Sequence, residues 1–272
     1  MEYWKLRPKA HDDEAMNDPL APAVGHVEYW DSPRAVGMYA AMRDLFLGER
    51  LALASCFPRG LAGRRVLDLG CGCGRVTSYL DRMGAHVIGV DISEGMIRAA
   101  RQSVPHIDFR VGDARSLEFD DESLDLVVFA FNGLDCLHPK DRRVTAIREV
   151  SRVLRPGGRF VFSHHNLAAI LFGWYKYMRP RKLVFRASQI LNGTVFHDDC
   201  YLPSPGAPGL VLYHAWPKQA TKDMELAGLE LISIYPNSIL LDVLRRGLRT
   251  NTFTKLMDPW PYYVFGKAGG ES

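Results

Sequence analysis

The stretch of the 272-residue chain that decides the fold is Arg65-Val66-Leu67-Asp68-Leu69-Gly70-Cys71-Gly72-Cys73-Gly74-Arg75-Val76-Thr77. It predicts an apolar strand over 66–69, a loop with a glycine at every second position, and a helix over about 75–83. Glycine has no Cβ, so the loop can turn tightly and a ligand can lie against its backbone. The helix N-terminus that follows presents unpaired N–H groups and a partial positive charge. This order of strand, loop and helix is typical of a site for a polar or anionic nucleotide group.

The spacing of the glycines differs from the dinucleotide-binding pattern G-x-G-x-x-G. Gly70, Gly72 and Gly74 give G-x-G-x-G, and Arg75 stands where the third dinucleotide glycine would be. With Asp68 two positions before the first glycine, the stretch resembles motif I of the class I S-adenosylmethionine (SAM)-dependent methyltransferases. In that family the loop backbone meets the methionine part of the cofactor. A dinucleotide-dependent oxidoreductase is therefore disfavoured.

Three further markers follow in the order that this family shows. Asp91 ends a predicted strand over 86–91, and a carboxylate there can accept both ribose hydroxyls in a bidentate pair. The resemblance implies that Asp113 faces the adenine amino group and that Ala114 donates its backbone N–H to the ring. The stretch Leu154-Arg155-Pro156-Gly157-Gly158-Arg159-Phe160 is similar to the family's turn before strand five. Separate turns would explain each marker but not their order.

The rest of the chain alternates strands and helices. The segment 124–131 is nearly continuous in apolar residues, as a central parallel strand should be. Alternation of this kind predicts an α/β fold with a mostly parallel sheet and helices on both faces. The resemblance implies that this sheet is Rossmann-like and seven-stranded, in the order 3-2-1-4-5-7-6. The resemblance implies that the last two strands form an antiparallel hairpin at the sheet edge. The other predicted elements are helices over 33–56, 94–103, 139–154 and 217–228 and strands over 107–113, 159–164, 230–235 and 261–266.

Four segments are predicted. Residues 1–32 form an N-terminal extension whose Trp4, Tyr29 and Trp30 suggest packing, either at the active-site mouth or elsewhere on the surface. Residues 33–166 form the SAM-binding core, and residues 216–272 complete its sheet. Residues 167–215 break the alternation and are interpreted as a lid, with a dimer contact or a surface flap as the alternative. A further helix over 239–248 is predicted to present its arginines to solvent.

Polar residues follow predicted strands four and five, where ligands of a parallel sheet bind. Asn132 and Asp135 come after strand four, and His164 and His165 lie at the end of strand five. Methyl transfer from SAM is an in-line displacement that needs positioning, and a hydroxyl acceptor also needs a general base. Histidine suits that role, and since neighbours on a strand alternate faces, only one of the two should point to the cofactor. His197 and His214 are weaker candidates, with Asp135 and His138 next.

The candidate cofactor site holds SAM, with S-adenosylhomocysteine as product, as the resemblance implies. A divalent metal is possible but not indicated; it would join Asp135 to Asp113 or to acids of the insertion, Asp198 or Asp199. The candidate cofactor-binding residues are Asp68, Gly70, Gly72, Gly74, Asp91, Ile92, Met96, Asp113, Ala114, Phe131 and Asn132.

Composition sets the remaining bounds. The hydrophobic content of 47% and the charged content of 24% are ordinary for a soluble globular protein. The net charge of +3 is too weakly basic to favour nucleic-acid binding. No apolar run is long enough for a membrane span, and the N-terminus is too polar for a signal peptide. Five cysteines, with a C-x-C spacing unusual for zinc, favour a reducing cytosol over a disulfide framework. We expect a cytoplasmic protein, with a homodimer possible.

The acceptor is the least determined part. Segments 162–167, 213–219 and 258–264 resemble a methyltransferase subgroup associated with surface or storage polysaccharides. The aromatic residues Phe172, Trp174, Tyr175 and Tyr177 suit stacking on a sugar, or equally an apolar lid core. The leading hypothesis is an O-methyltransferase acting on a small molecule, with a saccharide favoured. The alternatives are an N-methyltransferase or natural-product methyltransferase and, from another class, a non-catalytic SAM-binding module.

Overall fold

The structure, a computed structural model, describes residues 26–172, 200–203, 210–237 and 258–269. The described helices are α1 His26–Asp31, α2 Pro33–Ala40, α3 Leu47–Cys56, α4 Arg75–Arg82, α5 Glu94–Ser103, α6 Lys140–Val153, α7 Leu167–Phe172 and α8 Pro217–Leu226, with a short 3₁₀ turn at Gly133–Cys136. The described strands are β1 Arg65–Leu69, β2 His86–Asp91, β3 Asp108–Val111, β4 Leu124–Phe129, β5 Leu154–Ser163, β6 His165–Asn166, β7 Cys200–Pro203, β8 Val211–Ala215, β9 Leu229–Tyr235 and β10 Tyr262–Lys267.

The main sheet confirms the predicted topology. Its order is β3-β2-β1-β4-β5-β10-β9, and β9 and β10 are the sixth and seventh strands of this sheet along the chain. Strands β1 to β5 are parallel, whereas β10 runs antiparallel to both β5 and β9. The hairpin expected at the sheet edge is therefore present. All carboxyl ends of the parallel strands meet at one edge, where ligands of such sheets bind.

The hydrophobic core lies on both faces of this sheet. Every residue of β4 is buried, which agrees with its almost unbroken apolar sequence. On one face, α6 and α8 contribute Ile147, Val150 and Met224. On the other face, α3 and α4 contribute Leu53 and Leu80, with further residues from α5. Burial from both sides holds the strand ends in place, and the site is built on those ends.

The single helix predicted over 33–56 is wrong, because the chain forms two helices there. Helix α2 ends at Ala40, and α3 begins at Leu47 after an extended residue, Phe46. The Phe46 N–H donates to Glu49 Oε2 at 3.1 Å, so a glutamate in the first turn caps α3 in place of a serine or threonine before it. A Cβ at Gly48 would lie 2.7 Å from the Pro236 carbonyl oxygen, so α3 packs close to the chain beyond β9.

Two strand ends near the site also differ from the prediction. Strand β4 ends at Phe129 rather than at residue 131, because Phe131 and Asn132 adopt left-handed conformations with φ of 52° and 61°. Strand β5 begins at Leu154 rather than at residue 159, because Leu154 already pairs with Leu124 before a bulge. It ends at Ser163, so the two histidines lie just beyond it.

Two strands of the segment predicted as an insertion, β7 and β8, form a small second sheet with β6, which lies at the end of the predicted core. Strand β6 pairs in parallel with β8, and β7 pairs antiparallel to β8, in the order β6-β8-β7. The small sheet begins just after β5, at the carboxyl edge of the main sheet. The predicted helix over 239–248 and the side chains of Phe172, Trp174, Tyr175, Tyr177, His197, Asp198 and Asp199 lie outside the described residues.

The N-terminal helix α1 packs against the core. Asp31 Oδ1 accepts hydrogen bonds from Ser93 Oγ at 2.6 Å and from the Gly95 N–H at 2.8 Å. Ser93 is the N-cap of α5, as predicted, and accepts from the Met96 N–H. The carboxylate of Asp31 thus adds a second acceptor to the same helix N-terminus. Trp4 lies outside the described residues.

Candidate cofactor and acceptor site

A cavity of about 150 Å³ lies at the carboxyl ends of β1, β2 and β4. Gly74 and Asn132 do not line it. The residues that sequence analysis proposed and that do line it are Asp68, Gly70, Gly72, Asp91, Ile92, Met96, Asp113, Ala114 and Phe131. Trp30, which was expected to pack at the active-site mouth or elsewhere on the surface, also lines it, as do Cys71 and Cys73 of the glycine loop. Lining residues that sequence analysis did not propose include Tyr39, Met42, Cys136 and Leu137.

The three motif glycines serve different purposes. A Cβ at Gly70 would lie 2.6 Å from the Phe129 ring, and one at Gly74 would lie 2.8 Å from the Phe109 ring, so both allow close packing of the loop. A Cβ at Gly72 would meet only Tyr39 Cδ1, at 3.9 Å, yet its φ is 54°. Gly72 therefore provides the backbone turn and leaves its open side toward the cavity.

Asp91 joins the glycine loop to the start of α5. Its Oδ2 accepts from the Gly72 N–H at 2.8 Å, and its Oδ1 accepts from the Ser93 N–H at 2.9 Å. Burial raises the pKa of Asp91, and these two backbone hydrogen bonds oppose that shift. Each carboxylate oxygen has a further lone pair for a ligand hydroxyl.

Asp68 lies deeper, under the loop. It is 1% exposed, and its Oδ2 accepts from the Thr77 hydroxyl at 2.6 Å. Burial raises the pKa of Asp68 to about 7. The residue thus ties β1 to α4 at the bottom of the cavity.

Asp113 is engaged by its neighbour Arg115. The Arg115 Nε lies 3.0 Å and 2.9 Å from the two carboxylate oxygens, and the Arg115 N–H donates to Oδ1 at 2.8 Å. These bonds lower the pKa of Asp113. Ala114, which follows, is buried and lines the cavity.

Arg75, which replaces the third dinucleotide glycine, belongs to a buried ion pair. Its guanidinium donates to both oxygens of Glu49, at 2.6 Å and 3.0 Å. Glu49 is fully buried and also accepts from the Tyr262 hydroxyl at 3.1 Å. The guanidinium carbon lies 5.3 Å from the centre of the Phe46 ring. Arg75 therefore links α4 to α3 and β10, a role that its place in the motif did not reveal.

The turn after β4 brings Asn132 to the end of β5. The Asn132 N–H donates to Ser163 Oγ at 2.9 Å, and Asn132 Nδ2 lies 3.4 Å from His165 Nε2. The two consecutive left-handed residues in this turn, Phe131 and Asn132, are uncommon for non-glycine residues and concentrate at functional sites. They turn the chain from β4 into the 3₁₀ turn that carries Asp135.

The two candidate histidines have different surroundings. His164 is 1% exposed; its Nδ1 donates to the His165 carbonyl at 2.9 Å and its Nε2 lies 3.0 Å from the Tyr263 hydroxyl, so both ring nitrogens are engaged. His165 Nδ1 lies 2.8 Å from Asp135 Oδ2, and the His165 N–H donates to the same oxygen at 2.6 Å. With its Nδ1–H given to a carboxylate, a neutral His165 carries its lone pair on Nε2.

Burial shifts the pKa values of this pair in opposite directions. It lowers the pKa of His165 and raises the pKa of Asp135, since each charged form loses hydration. A neutral imidazole at pH 7 is the form that can accept a proton. His214, of β8, packs against His165 with ring centres 4.8 Å apart, a contact that was not predicted because β8 was not predicted.

Aromatic rings continue from the cavity toward His165. The Trp30 ring is 5.4 Å from Tyr39, Tyr39 is 5.8 Å from Phe131, and Phe131 is 6.5 Å from Trp260. Trp260 in turn lies 6.3 Å from the His165 ring, edge to face. Trp30 also packs with Leu210 and Leu212 next to the small sheet. Trp30 and Trp260 are far apart in sequence, so only the tertiary structure shows this row.

Within the described part of the chain, no group of three or more histidine, cysteine, aspartate or glutamate side chains is arranged to hold a metal ion. The same residues include no helix long and apolar enough to span a membrane.

Comparisons with known proteins agree with this geometry. Residues 66–158, about a third of the chain, match the family described as a methyltransferase domain. A demethylmenaquinone methyltransferase of Clavibacter sepedonicus is 36% identical over 125 residues, which cover 44% of this chain and 49% of that protein. Methyltransferase GfsG of Streptomyces halstedii is 33% identical over 148 residues, 51% of this chain and 49% of that protein. The chain thus spans about half the length of these curated relatives.

A solved structure extends the likeness to most of the chain. The CcbJ methyltransferase from Streptomyces caelestis has a TM-score of 0.62 at 21% identity, over 90% of this chain and 99% of that one. At this identity the likeness concerns the fold. The family match spans the glycine loop, Asp91 and Asp113, the part of the sheet that forms the cavity. Residues 66–158 are therefore similar to a methyltransferase domain, and the chain shares the fold of the CcbJ methyltransferase.

Proposed function

We propose that this protein is a SAM-dependent methyltransferase that methylates a hydroxyl group of a small molecule. The observation that carries the proposal is the Asp135–His165 pair at the end of β5, joined to the turn after β4 through Asn132. The cavity beside it has the residues to hold SAM: an open backbone at Gly72 and a carboxylate at Asp91. SAM, when bound, supplies an electrophilic methyl group on a sulfonium sulfur.

In this proposal His165 is the general base. Asp135 accepts the Nδ1–H, which fixes the ring orientation and leaves the Nε2 lone pair on the side of Asn132 Nδ2. Nε2 then accepts the proton of the acceptor hydroxyl as the oxygen becomes the nucleophile. Asn132 Nδ2, at 3.4 Å from Nε2, lies close enough to orient the same hydroxyl. The aromatic rings beside the site exclude water from the reacting groups.

A saccharide is our first candidate for the acceptor. It rests on the resemblance of segments 162–167, 213–219 and 258–264 to the polysaccharide-associated subgroup. Two of these segments contain His165 and His214, whose ring nitrogens suit hydroxyl-rich ligands. The small sheet that contains β8 is proposed as part of the lid over this acceptor, since Leu210 and Leu212 pack against Trp30 at the cavity.

A planar aromatic acceptor is the second candidate. The row of rings from Trp30 to Trp260 ends beside His165, and aromatic rings stack on planar ligands. The name of the Clavibacter relative, a demethylmenaquinone methyltransferase, points the same way. Both acceptors can present a hydroxyl to the same base.

The test combines binding and turnover. Calorimetry with SAM and with NAD is expected to show binding of SAM alone; binding of NAD alone would overturn the proposal. The protein is then incubated with methyl-labelled SAM and two acceptor sets, methyl glycosides and naphthohydroquinones, and the labelled products are identified.

For whichever acceptor is methylated, His165→Ala is expected to lower kcat by about 10²–10⁴-fold, because the base is removed, while SAM affinity stays unchanged. The matched control is His106→Ala, on an exposed histidine paired only with Asp81 outside the site. Equal kcat values for the parent and for His165→Ala would show that His165 is not the base.

A further inference from the structure

A second, much smaller cavity lies behind Asp135, on the side away from His165 Nδ1. Its volume is about 10 Å³, and its lining includes Asp135, Arg143, His164 and Asp223. Asp135 is fully buried, and its Oδ1 has no hydrogen-bond partner among the described residues. A cavity of roughly 10–15 Å³ holds one water molecule if two or more polar groups can bond to it. Asp135 Oδ1 and the Arg143 guanidinium meet that requirement.

Arg143, on α6, is held rigidly in this place. It is 2% exposed, and its Nη1 donates to the Tyr201 hydroxyl of β7 at 2.9 Å. Its Nη2 lies 3.6 Å from Asp223 Oδ2 of α8, and its guanidinium carbon lies 3.5 Å from the centre of the Tyr213 ring. The guanidinium therefore contacts both strands β7 and β8 of the small sheet as well as the core. Burial of such a charge is costly, so its position calls for a function.

Burial raises the pKa of Asp135, and Arg143 is one of the groups that oppose this rise. Burial lowers the pKa of His164 to about 4 and that of His214 to about 3, so both are neutral at pH 7. Arg143 is then the permanent cation that acts on Asp135 within the described residues. The groups that face Asp135 from the elements packed against it are His164 and His165 beyond β5, Cys136 in the 3₁₀ turn, Arg143 on α6, His214 on β8, Asp223 on α8 and Tyr263 on β10.

We propose that Arg143 is a positioning residue for the base. Through one water bound in the small cavity, Arg143 pairs with Asp135 Oδ1 and keeps Asp135 an anion. The anionic Asp135 in turn keeps the ring proton of His165 on Nδ1. This inference rests on the proposed function of His165. It extends the site to a residue of α6 that touches neither cofactor nor acceptor. It also links the small sheet to the base, because Tyr201 and Tyr213 hold the same guanidinium.

The test is a nuclear magnetic resonance measurement on the protein with S-adenosylhomocysteine, which needs no acceptor. In the parent, the ring nitrogens of His165 should show the Nδ1–H tautomer at pH 7. In Arg143→Gln, the titration midpoint of the Asp135 carboxyl should rise by at least about 1 pH unit, because the buried carboxylate loses a neighbouring positive charge. His165 should then change to the Nε2–H tautomer. Arg143→Lys, which keeps the charge, should restore the parent tautomer.

The matched control is Arg148→Gln, on an exposed arginine of the same helix, and it should change neither signal. A folded Arg143→Gln protein with the parent tautomer and the parent Asp135 titration overturns the inference. If Arg143→Gln does not fold, the parent protein decides: a water bound in the small cavity should give nuclear Overhauser contacts to the Arg143 guanidinium protons, and the absence of such contacts overturns the inference. His165→Ala with full turnover would instead remove the proposed function and leave the Arg143–Asp135 result standing.

Discussion

Asp91 gives the sharpest test of the cofactor site, and the structure changes what its replacement is expected to do. Its carboxylate accepts the Gly72 and Ser93 N–H groups, so it supports the glycine loop even without a ligand. Removal of the whole side chain would leave both N–H groups without their acceptor. Asp91→Asn is the better perturbation, because it keeps the size and one acceptor oxygen and removes the charge.

The magnitude follows from these contacts. The asparagine can accept from only one of the two N–H groups, so one hydrogen bond to a charged acceptor is lost, which costs about 1.5–3 kcal/mol of folding free energy. At about 2–4 °C per kcal/mol, the melting temperature should fall by roughly 3–12 °C. If the carboxylate also binds the ribose hydroxyls, a second such bond is lost with SAM, and the dissociation constant should rise about 10- to 150-fold.

The assay is titration calorimetry with SAM and with S-adenosylhomocysteine, at a temperature well below both melting points. Asp108→Asn is the control, because Asp108 is a half-exposed aspartate of the neighbouring strand β3 whose partner is Arg110. It should leave the dissociation constants unchanged. A lower melting temperature of Asp91→Asn with parent-like dissociation constants would refute the ribose assignment and leave Asp91 as a support of the loop only.

Two further outcomes are expected. Burial lowers the pKa of His165, so the imidazole stays neutral as the pH falls from 8 through about 6.5, the usual histidine pKa. In the parent, kcat/KM should therefore decline only below about pH 6.5, and this decline should be absent in His165→Ala. A midpoint of the parent's kcat/KM profile above about pH 6.5 would contradict this. Asp31→Ala removes two hydrogen bonds from the N-terminus of α5 and should release α1, so hydrogen exchange over residues 26–40 should rise. SAM affinity should also fall, because Trp30 of α1 lines the cavity. Unchanged hydrogen exchange would contradict the docking of α1.

The parallel strands of the main sheet were predictable because their causes are local, whereas the strand order was implied by the family resemblance. Apolar runs mark the buried strands, and each strand is followed by a helix that can return the chain only in one hand. Ser93 was predictable as a cap for the same reason, since its hydroxyl accepts an N–H three residues away. Residues whose partner is near in sequence reveal their role in the sequence.

The parts that the sequence did not reveal depend on distant partners. Glu49 caps α3 and binds Arg75 and Tyr262, so the break before α3 follows from an ion pair between α3 and α4 rather than from helix periodicity. His164 and His165 are equivalent in the sequence, and only Tyr263 and Asp135 distinguish them. The strand that carries His214 pairs with a two-residue strand, too short for any periodic pattern.

The charge balance around the glycine loop gives a physical reason for the departure from the dinucleotide pattern. Arg75 begins α4, where a free cation would attract a pyrophosphate, but its charge is held by the buried Glu49. The acidic residues Asp68 and Asp91 line the cavity beside this neutralised arginine. A dinucleotide would bring two negative charges against these carboxylates, whereas the sulfonium of SAM is positive. With its cation neutralised and its acids facing the cavity, the loop therefore favours a sulfonium cofactor over a pyrophosphate.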